Sequence, residues 1–279
     1  MSFEGKVVLV TGASTGIGAA TARLAAARGA HVLLVSRDRA ALEGLASGIR
    51  SAGGLATPYP ADLSSLETVA ATCAAIQREV GTPDVLVNNA GAGRWLAVDE
   101  TDPAEAVQMM AVPYFAAFAV TRAFLPAMLE RDRGHVVNVT SPASFLPFSG
   151  AAAYDAARFA LRGFDGALRA ELGGTSLGVT LLVAGKVSSA YWEHNPGSEG
   201  RVPGIARLYR TLTPEEVGEA LLDAVERRRR RVVIPFPLAL TLALHQHFPG
   251  PVEWLIHRTG WRRPRRRSAE GAGALERRA

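Results

Sequence analysis

Residues 6–18 read KVVLVTGASTGIG, and this stretch decides the fold. Its first six residues form an apolar run typical of a buried strand, and the alanine-rich residues 17–28 predict a helix. Between the two, Gly12 permits a sharp turn, Gly16 permits close approach of a phosphate, and Gly18 lets the helix pack on the sheet. A helix N-terminus carries free N–H groups and a partial positive charge, which attract anions. The stretch therefore predicts a strand, turn and helix that bind the pyrophosphate of a dinucleotide.

Outside this stretch, short apolar runs alternate with helical patterns along most of the chain. Further strands are predicted over residues 31–35, 55–59, 85–87, 135–140, 179–183 and 231–234. Further helices are predicted over residues 39–50, 64–80, 103–131, 151–172 and 214–226. Apolar strands joined by helices indicate a parallel sheet covered on both faces, and right-handed crossovers make such a sheet doubly wound. The predicted fold class is therefore α/β, a doubly wound parallel sheet of the Rossmann type in a single domain.

Three of the predicted helices begin with capping signals. Ser64 with Glu67, and Thr213 with Glu216, have the spacing of a capping box. Asp102 stands directly before a proline, which favours it as the cap of the helix over residues 103–131. These signals predict where the helices begin.

Charge is distributed unevenly between the body of the chain and its C-terminal part. Residues 1–226 contain 18 Lys and Arg against 23 Asp and Glu, a net charge of −5. Residues 227–279 contain 13 against 3, a net charge of +10. We place the dinucleotide-binding and catalytic domain at residues 1–235 and a C-terminal extension at residues 236–279, whose last part, 262–279, is predicted to be disordered. The basic tail does not indicate a fold that binds nucleic acid.

The single cysteine, Cys73, excludes an internal disulfide and fits a reducing compartment. A basic and apolar leader pattern is not visible before the first strand. Both observations favour a cytoplasmic chain.

The glycine motif and two later motifs resemble the short-chain dehydrogenase/reductase family over roughly residues 3–235. Asp62-Leu63, after the third strand, resembles the pair that contacts adenine in that family, and the Asn88–Gly91 sequence NNAG resembles the motif beside the adenine ribose. The resemblance implies nucleotide contacts from Gly12, Ser14, Thr15, Gly16, Ile17, Gly18, Arg37, Asp62, Leu63, Asn89, Ala90, Gly91 and Val187. It also implies a homo-oligomer.

Residues at the end of the second strand bear on which nucleotide binds. An acidic residue there accepts a hydrogen bond from the ribose 2′-OH and repels a 2′-phosphate. This chain has Ser36 at that position and Arg37 next, and a guanidinium offers paired donors to a phosphate. We therefore expect NADP(H). In the alternative, Arg37 is a solvated turn residue and Asp38 takes the 2′-OH of NAD(H).

Ser141 and Tyr154 have the spacing of the family's catalytic serine and tyrosine. The resemblance implies that Tyr154 transfers a proton to a carbonyl oxygen while Ser141 hydrogen-bonds the same oxygen. A free tyrosine titrates near pH ~10, so the phenol needs a nearby cation to react at neutral pH. The family has lysine four residues after the tyrosine, whereas this chain has Arg158, on the same helix face.

Two departures from the family pattern bear on turnover. Besides the arginine, Pro113 stands where the family has an asparagine that helps hold a relay water, and Pro has no donor to offer. Three hypotheses remain open from the sequence. The chain is an NADPH-dependent carbonyl reductase or alcohol dehydrogenase, a cofactor-binding protein with little or no catalysis, or a protein that runs another reaction on the same fold.

Residues 188–212 correspond to the substrate lid of the family, and Tyr191 and Trp192 suggest an apolar wall for a small carbonyl or alcohol substrate. Core packing of these aromatics is the alternative, and we expect His194 to be exposed. The apolar tail is expected to cover the substrate pocket or a subunit interface. In the alternative, its apolar and aromatic residues lie on an anionic membrane surface beside Arg227–Arg231 and Arg262–Arg267. His245 and His247 have no carboxylate cluster nearby, so a metal site is not predicted.

Overall fold

The computed structural model describes residues 2–91 and 93–263, which form a seven-stranded sheet with helices on both faces. The strands are β1 Val7–Thr11, β2 His31–Ser36, β3 Leu55–Pro60, β4 Val85–Asn88, β5 His135–Thr140, β6 Gly178–Ala184 and β7 Arg231–Ile234. All six neighbouring pairs are parallel, in the order β3-β2-β1-β4-β5-β6-β7. The order reverses between β1 and β4, where a doubly wound sheet opens a crevice at the carboxyl ends of its strands. The predicted fold class and strands are confirmed.

Ten α-helices connect or follow these strands in the described residues. They are α1 Gly16–Ala27, α2 Arg39–Ser51, α3 Leu66–Glu79, α4 Pro103–Met110, α5 Ala117–Glu130, α6 Ala152–Glu171, α7 Tyr191–His194, α8 Pro214–Glu226, α9 Phe236–His247 and α10 Pro249–Thr259. Helices α1, α2 and α8 bury their apolar residues on one face of the sheet, and α3, α5 and α6 on the other. The alanines of α1 bring it close to α8, where a Cβ at Gly218 would lie 3.2 Å from the Thr21 nitrogen.

The capping predictions hold for α4 and α8 but are wrong by one residue for α3. The Thr213 hydroxyl accepts the Glu216 N–H, and the Glu216 carboxylate accepts the Thr213 N–H. The cap of α3 is Ser65 rather than Ser64. The Asp62 carboxylate accepts hydrogen bonds from both the N–H and the hydroxyl of Ser64. This local turn holds Ser64 outside the helix, so the next serine becomes the cap.

The predicted helix over residues 103–131 is interrupted by a π-helical turn at Ala111–Ala116. Pro113 lies within this turn. A proline has no N–H for the helical ladder and its ring clashes with the preceding turn, so the wider turn accommodates it. The whole stretch Pro103–Glu130 is long and apolar enough to cross a membrane by length and composition, yet Phe124 and Met128 are fully buried in the core.

The chain after β7 forms two helices that pack against the end of the sheet. Leu238 and Leu242 of α9 and Ile256 of α10 are buried against β6 and the segment after β5. Arg263, the last described residue, forms an ion pair with Asp99. The disorder predicted over residues 262–279 falls, from residue 264 onward, outside the described residues, and so do the arginines at 265–267.

The arginine run before β7 does not lie beside the apolar tail, as the sequence interpretation placed it. Arg228 donates a hydrogen bond to the Ser176 carbonyl, just before β6 begins. In a parallel sheet the amino ends of the strands share one edge, whereas α9 follows the carboxyl end of β7. Residues 227–230 and α9 therefore lie at opposite edges of the sheet.

Two helical glycines should respond to alanine in opposite ways. A Cβ at Gly18 would lie 2.2 Å from the Gly12 carbonyl oxygen, whereas a Cβ at Gly163 meets no atom within 4 Å. We expect Gly18→Ala to lower the free energy of unfolding by about 1–3 kcal/mol or more, because backbone must move. We expect Gly163→Ala to raise it by about 0.5–1 kcal/mol through helix propensity. Urea denaturation measures both, and equal effects would contradict the packing described for the turn.

Candidate active site

A cleft of about 1140 Å³ opens at the carboxyl edge of the sheet, beside the reversal between β1 and β4. Every residue predicted for the site lines this cleft except Gly18. Gly18 lies behind the turn, where it allows α1 to approach the Gly12 carbonyl. The structure thus describes the packing role predicted for Gly18, and its contact with the nucleotide stays a prediction.

The glycine turn is held in shape by the loop after β4. The N–H groups of Asn89 and Ala90 both donate to the Thr11 hydroxyl, at 3.0 and 3.1 Å. The Asn89 side-chain amide donates to the carbonyls of Thr11 and Gly12, at 3.0 and 3.2 Å. Gly12 adopts φ +65° and Gly16 φ +55°, both in the left-handed region that favours glycine. The turn is thus fixed before any nucleotide binds.

The far end of the cleft carries hydroxyl and charged groups at the ends of β2 and β3. The Ser36 hydroxyl donates to the Ser14 hydroxyl at 2.9 Å, and Arg37 stands next to this pair on the cleft wall. Asp38 accepts the Ala41 N–H and caps α2. Hydrogen bonds from Ser64 lower the pKa of Asp62, and the charge of Arg37 lowers it further. Arg37 therefore offers the cation at this end of the cleft, while Asp38 is engaged in capping.

The two predicted catalytic hydroxyls face each other across the middle of the cleft. The Tyr154 hydroxyl on α6 donates to the Ser141 hydroxyl oxygen at 3.3 Å. Ser141 follows β5 and also accepts the Ala143 N–H at 3.2 Å, which orients its side chain. A carbonyl oxygen placed between the two hydroxyls would receive hydrogen bonds from both.

The Arg158 guanidinium lies inside the cleft, against the catalytic tyrosine. Its central carbon is 4.8 Å from the centroid of the Tyr154 ring, and the residue is buried. A Cβ at Gly91 would lie 2.7 Å from one guanidinium nitrogen, so the side chain packs directly on that glycine. Within the described residues, its buried Nε has no hydrogen-bond partner.

The donor set and the shape of the cleft fit a dinucleotide. Open backbone at Gly16 and the start of α1 suit a pyrophosphate, and the unpartnered Arg158 Nε suits an added oxygen ligand. Val187 forms a parallel bridge with Leu212 in which Lys186 and Ser188 make the hydrogen bonds. The N–H and C=O of Val187 therefore point away from Leu212, as a backbone contact to a nicotinamide carboxamide requires.

Aromatic side chains surround Tyr154, and the sequence singled out Tyr191 but not Trp95 or Phe148. Trp95 stacks on Phe148, with centroids 5.2 Å apart and ring planes 14° apart, and lies 5.6 Å from the Tyr154 ring. Tyr191 of the lid donates to the Gly93 carbonyl at 2.6 Å. Burial raises the pKa of Tyr191, and the neighbouring Tyr154 raises it further. Tyr191 thus stays protonated beside the catalytic phenol.

The tail and the lid complete the wall opposite the sheet. Helices α9 and α10 contribute Leu238, Thr241 and Ile256 to the cleft. His194 is exposed, as predicted, at the mouth of the cleft. His245 pairs with Glu253 at 2.9 Å. Searching residues 2–91 and 93–263 finds no group of three or more His, Cys, Asp or Glu side chains able to hold a metal ion.

Asp155, next to the catalytic tyrosine, is a buried carboxyl that sequence reasoning missed. One of its oxygens accepts the Phe148 N–H at 2.6 Å, and the other is buried without a hydrogen-bond partner among the described residues. Burial raises the pKa of Asp155 to about 8, although the Phe148 N–H acts in the opposite direction. Nothing in the residue pattern marks Asp155, because its burial depends on how the loop before α6 folds back on the helix.

Comparison with known proteins places the chain among oxidoreductases. Residues 6–198 match the family model described as short chain dehydrogenase. The chain is 33% identical over 251 residues to the probable oxidoreductase EphD of Mycobacterium tuberculosis. The aligned region covers 85% of this chain and 42% of EphD. It is 33% identical over 238 residues to a fatty acyl-CoA reductase of Acinetobacter baylyi, and this alignment covers 83% of this chain and 76% of that reductase. The chain thus spans less than half the length of EphD.

Solved structures share the fold. A metagenomic short-chain oxidoreductase in complex with NADP aligns with a TM-score of 0.71 and 32% identity, over 84% of this chain and 98% of that one. A short chain dehydrogenase/reductase from Burkholderia phymatum in complex with NAD aligns with a TM-score of 0.80 and 23% identity, over 95% of this chain and 100% of that one. A parallel sheet with a glycine turn and a hydroxyl pair at its carboxyl edge is the arrangement expected of a nucleotide-dependent oxidoreductase. The chain belongs to the short chain dehydrogenase family.

The buried carboxyl of Asp155 should make stability depend on pH. Above pH 6.5 the unfolded carboxyl is ionised, whereas the folded one keeps its proton until about pH 8, so the folded state binds more protons. We expect the free energy of unfolding to fall as pH rises from 6.5 to 8, by up to about 2 kcal/mol. In Asp155→Asn this fall should be absent. Urea midpoints for both proteins measure the difference.

The chosen pH window separates Asp155 from His135. Burial lowers the pKa of His135 to about 4, so that histidine costs stability only as pH falls below 6.5. Parallel pH profiles for the wild type and Asp155→Asn above pH 6.5 would contradict the prediction.

Proposed function

We propose that this protein is an NADP(H)-dependent oxidoreductase that interconverts a carbonyl and an alcohol on an apolar small molecule. The observation that carries the proposal is the pair of hydroxyls at Tyr154 and Ser141, 3.3 Å apart in the cleft, with the Arg158 guanidinium 4.8 Å from the tyrosine ring. NADPH, when bound, supplies the hydride. The residues of this chain supply the proton, the hydrogen bond and the positive charge.

Tyr154 acts as the general acid in the proposed reduction and as the general base in the reverse direction. Ser141 donates its hydroxyl hydrogen to the substrate oxygen and stabilises the negative charge that develops there. The Arg158 guanidinium lies against the Tyr154 ring and places a positive charge in the part of the cleft where the reaction develops negative charge. Guanidinium stays protonated throughout, so Arg158 acts by charge and does not itself pass the proton on.

A cofactor-binding protein with little catalysis is the second hypothesis, and Pro113 and Arg158 are the residues that favour it. Pro113 offers no side-chain donor or N–H within its π-helical turn. The hydroxyl pair favours the enzyme, because nucleotide binding alone would not require Ser141 and Tyr154 to meet in the cleft. Turnover by the wild-type protein decides between the two hypotheses.

The preference for NADP(H) over NAD(H) rests on residues of this chain. Both nucleotides occur among similar structures. Arg37 and the hydroxyls of Ser14 and Ser36 line one end of the cleft, and this donor set suits a 2′-phosphate. Asp38, the alternative acceptor for a 2′-OH, also lines the cleft and uses one carboxylate oxygen to accept the Ala41 N–H, so the preference rests on Arg37.

The proposed substrate is apolar because aromatic and aliphatic side chains form the cleft wall opposite the glycine turn. Trp95, Phe148 and Trp192 come from the loops around the catalytic tyrosine, and Leu238 and Ile256 come from the tail. The similarity to a fatty acyl-CoA reductase agrees with a lipophilic substrate. We also propose that the protein acts as a homo-oligomer in the cytoplasm.

Removing one phenolic oxygen tests the catalytic assignment. Tyr154→Phe should lower NADPH consumption with a panel of apolar ketones and aldehydes by about 10²–10⁴-fold, the usual contribution of a positioned proton donor. NADPH binding, followed by nucleotide fluorescence, should persist. Tyr114→Phe is the matched control, since Tyr114 does not line the cleft. Wild-type protein that binds NADPH but reduces no member of the panel would instead support the binding-protein hypothesis.

Reversing one charge tests the nucleotide preference. Arg37→Asp should remove the preference for NADPH over NADH, because it replaces a phosphate donor with a group that repels phosphate and accepts from a ribose hydroxyl. Arg39→Asp is the control, since Arg39 lies outside the cleft wall. The ratio of the two Kd values reports the result, and an unchanged ratio in Arg37→Asp would sink the assignment.

A further inference from the structure

Over residues 236–244, helix α9 is apolar on its outer side as well as on its inner side. Leu238 and Leu242 face the core, whereas Phe236, Leu240 and Leu244 are exposed, Phe236 by 79% and Leu240 by 54%. Residues 232–252 contain no Asp, Glu, Lys or Arg. A surface helix of a globular protein normally carries polar side chains opposite its buried stripe. The outer side of α9 therefore has the composition of a helix face that is covered by another apolar surface.

The exposed apolar side continues across the turn into α10. Phe248, between the two helices, is 61% exposed and Trp254 is 62% exposed. With Phe236, Leu240, Leu244 and Leu255, they account for six of the fifteen large apolar side chains exposed in the described residues. We call these six residues the outer tail surface. Several large exposed apolar side chains within one short segment indicate a protein or membrane contact.

The charge around the outer tail surface distinguishes between these partners. The described part of this segment, residues 232–263, contains Arg258, Arg262 and Arg263, the last of which pairs with Asp99. Its single acidic residue, Glu253, pairs with His245. The Arg258 guanidinium carbon lies 5.4 Å from the Trp254 ring centroid, which places a cation directly on the apolar surface. Two copies of this surface would bring like charges together, whereas anionic lipid headgroups would attract them. Charge complementarity therefore favours an anionic bilayer over a second copy.

The helices that carry the outer tail surface also form a wall of the substrate cleft. Leu238, Thr241 and Ile256 line the cleft from the inner side of α9 and α10. A lipophilic molecule dissolved in a bilayer would meet the outer side of the same two helices. Bilayer contact would thus bring the source of an apolar substrate next to the cleft.

We propose that the outer tail surface docks the protein on an anionic lipid bilayer, with α9 and α10 lying along the interface and arginines facing the headgroups. An amphipathic aromatic such as Trp254 beside an arginine is suited to that boundary. The proposal goes beyond the oxidoreductase assignment. Vesicle binding does not need Tyr154 or the nucleotide, so either conclusion can fail alone.

Flotation of the full chain with vesicles tests the proposal. The protein should float with vesicles of phosphatidylcholine mixed with phosphatidylglycerol and much less with phosphatidylcholine alone. Leu240→Gln with Phe248→Gln should weaken binding about tenfold or more by removing apolar contact. Arg258→Gln with Arg262→Gln should weaken it about tenfold or more on anionic vesicles alone.

Matched controls come from other faces of the molecule. Leu55→Gln with Leu66→Gln removes two equally exposed apolar side chains from β3 and α3, and Arg227→Gln with Arg230→Gln removes two arginines at the opposite edge of the sheet. Neither control should change flotation. NADPH binding checks that each variant is folded, and reduction of a water-soluble carbonyl should be unchanged in all four.

Three results would overturn the proposal. The first is absence of wild-type flotation with anionic vesicles. The second is equal loss in the tail variants and their controls. The third is a change of oligomeric state in Leu240→Gln with Phe248→Gln, measured by sedimentation velocity, without any vesicle binding by the wild type. That last outcome would assign the outer tail surface to a second copy.

Discussion

The four hydrogen bonds between the glycine turn and the loop after β4 hold the site together. Thr11 and Gly12 end β1, while Asn89 and Ala90 follow β4, and these are the two strands between which the sheet reverses. The bonds fix the nucleotide turn to the loop that carries Gly91, on which Arg158 packs. The binding half and the catalytic half of the cleft are thus parts of one hydrogen-bonded unit. Such preorganisation lets donors stabilise charge without having to move during the reaction.

Around this unit, elements distant in sequence contribute the walls. The segment before α4 brings Trp95, the segment before α6 brings Phe148, and the lid brings Tyr191. The lid is tied to the Trp95 segment by a hydrogen bond of 2.9 Å from the Trp95 N–H to the wholly buried Ser198 hydroxyl. In the proposed function, the loops and the tail would therefore shape the substrate pocket, and the edge of the sheet would carry the reacting groups.

The sequence predicts the sheet edge better than the walls. Apolar strands and glycine positions follow from local rules, and all but Gly18 of the predicted site residues line one cleft. The cap predicted at Ser64 was wrong because Asp62, two residues earlier, accepts a hydrogen bond from the Ser64 N–H and holds Ser64 in a turn. Trp95 and Phe148 carry no local signal, since their burial depends on loops that fold against each other. The sequence pattern did not predict helix α9, because apolar residues on both its inner and its outer side leave no 3.6-residue period.

The contact between the Arg158 guanidinium and Gly91 links two positions that are 67 residues apart in sequence. A guanidinium reaches the backbone of residue 91 only because that residue has no side chain. A methyl group at position 91 would force the guanidinium to shift. The placement of the cation against the tyrosine ring therefore depends on the missing side chain at residue 91.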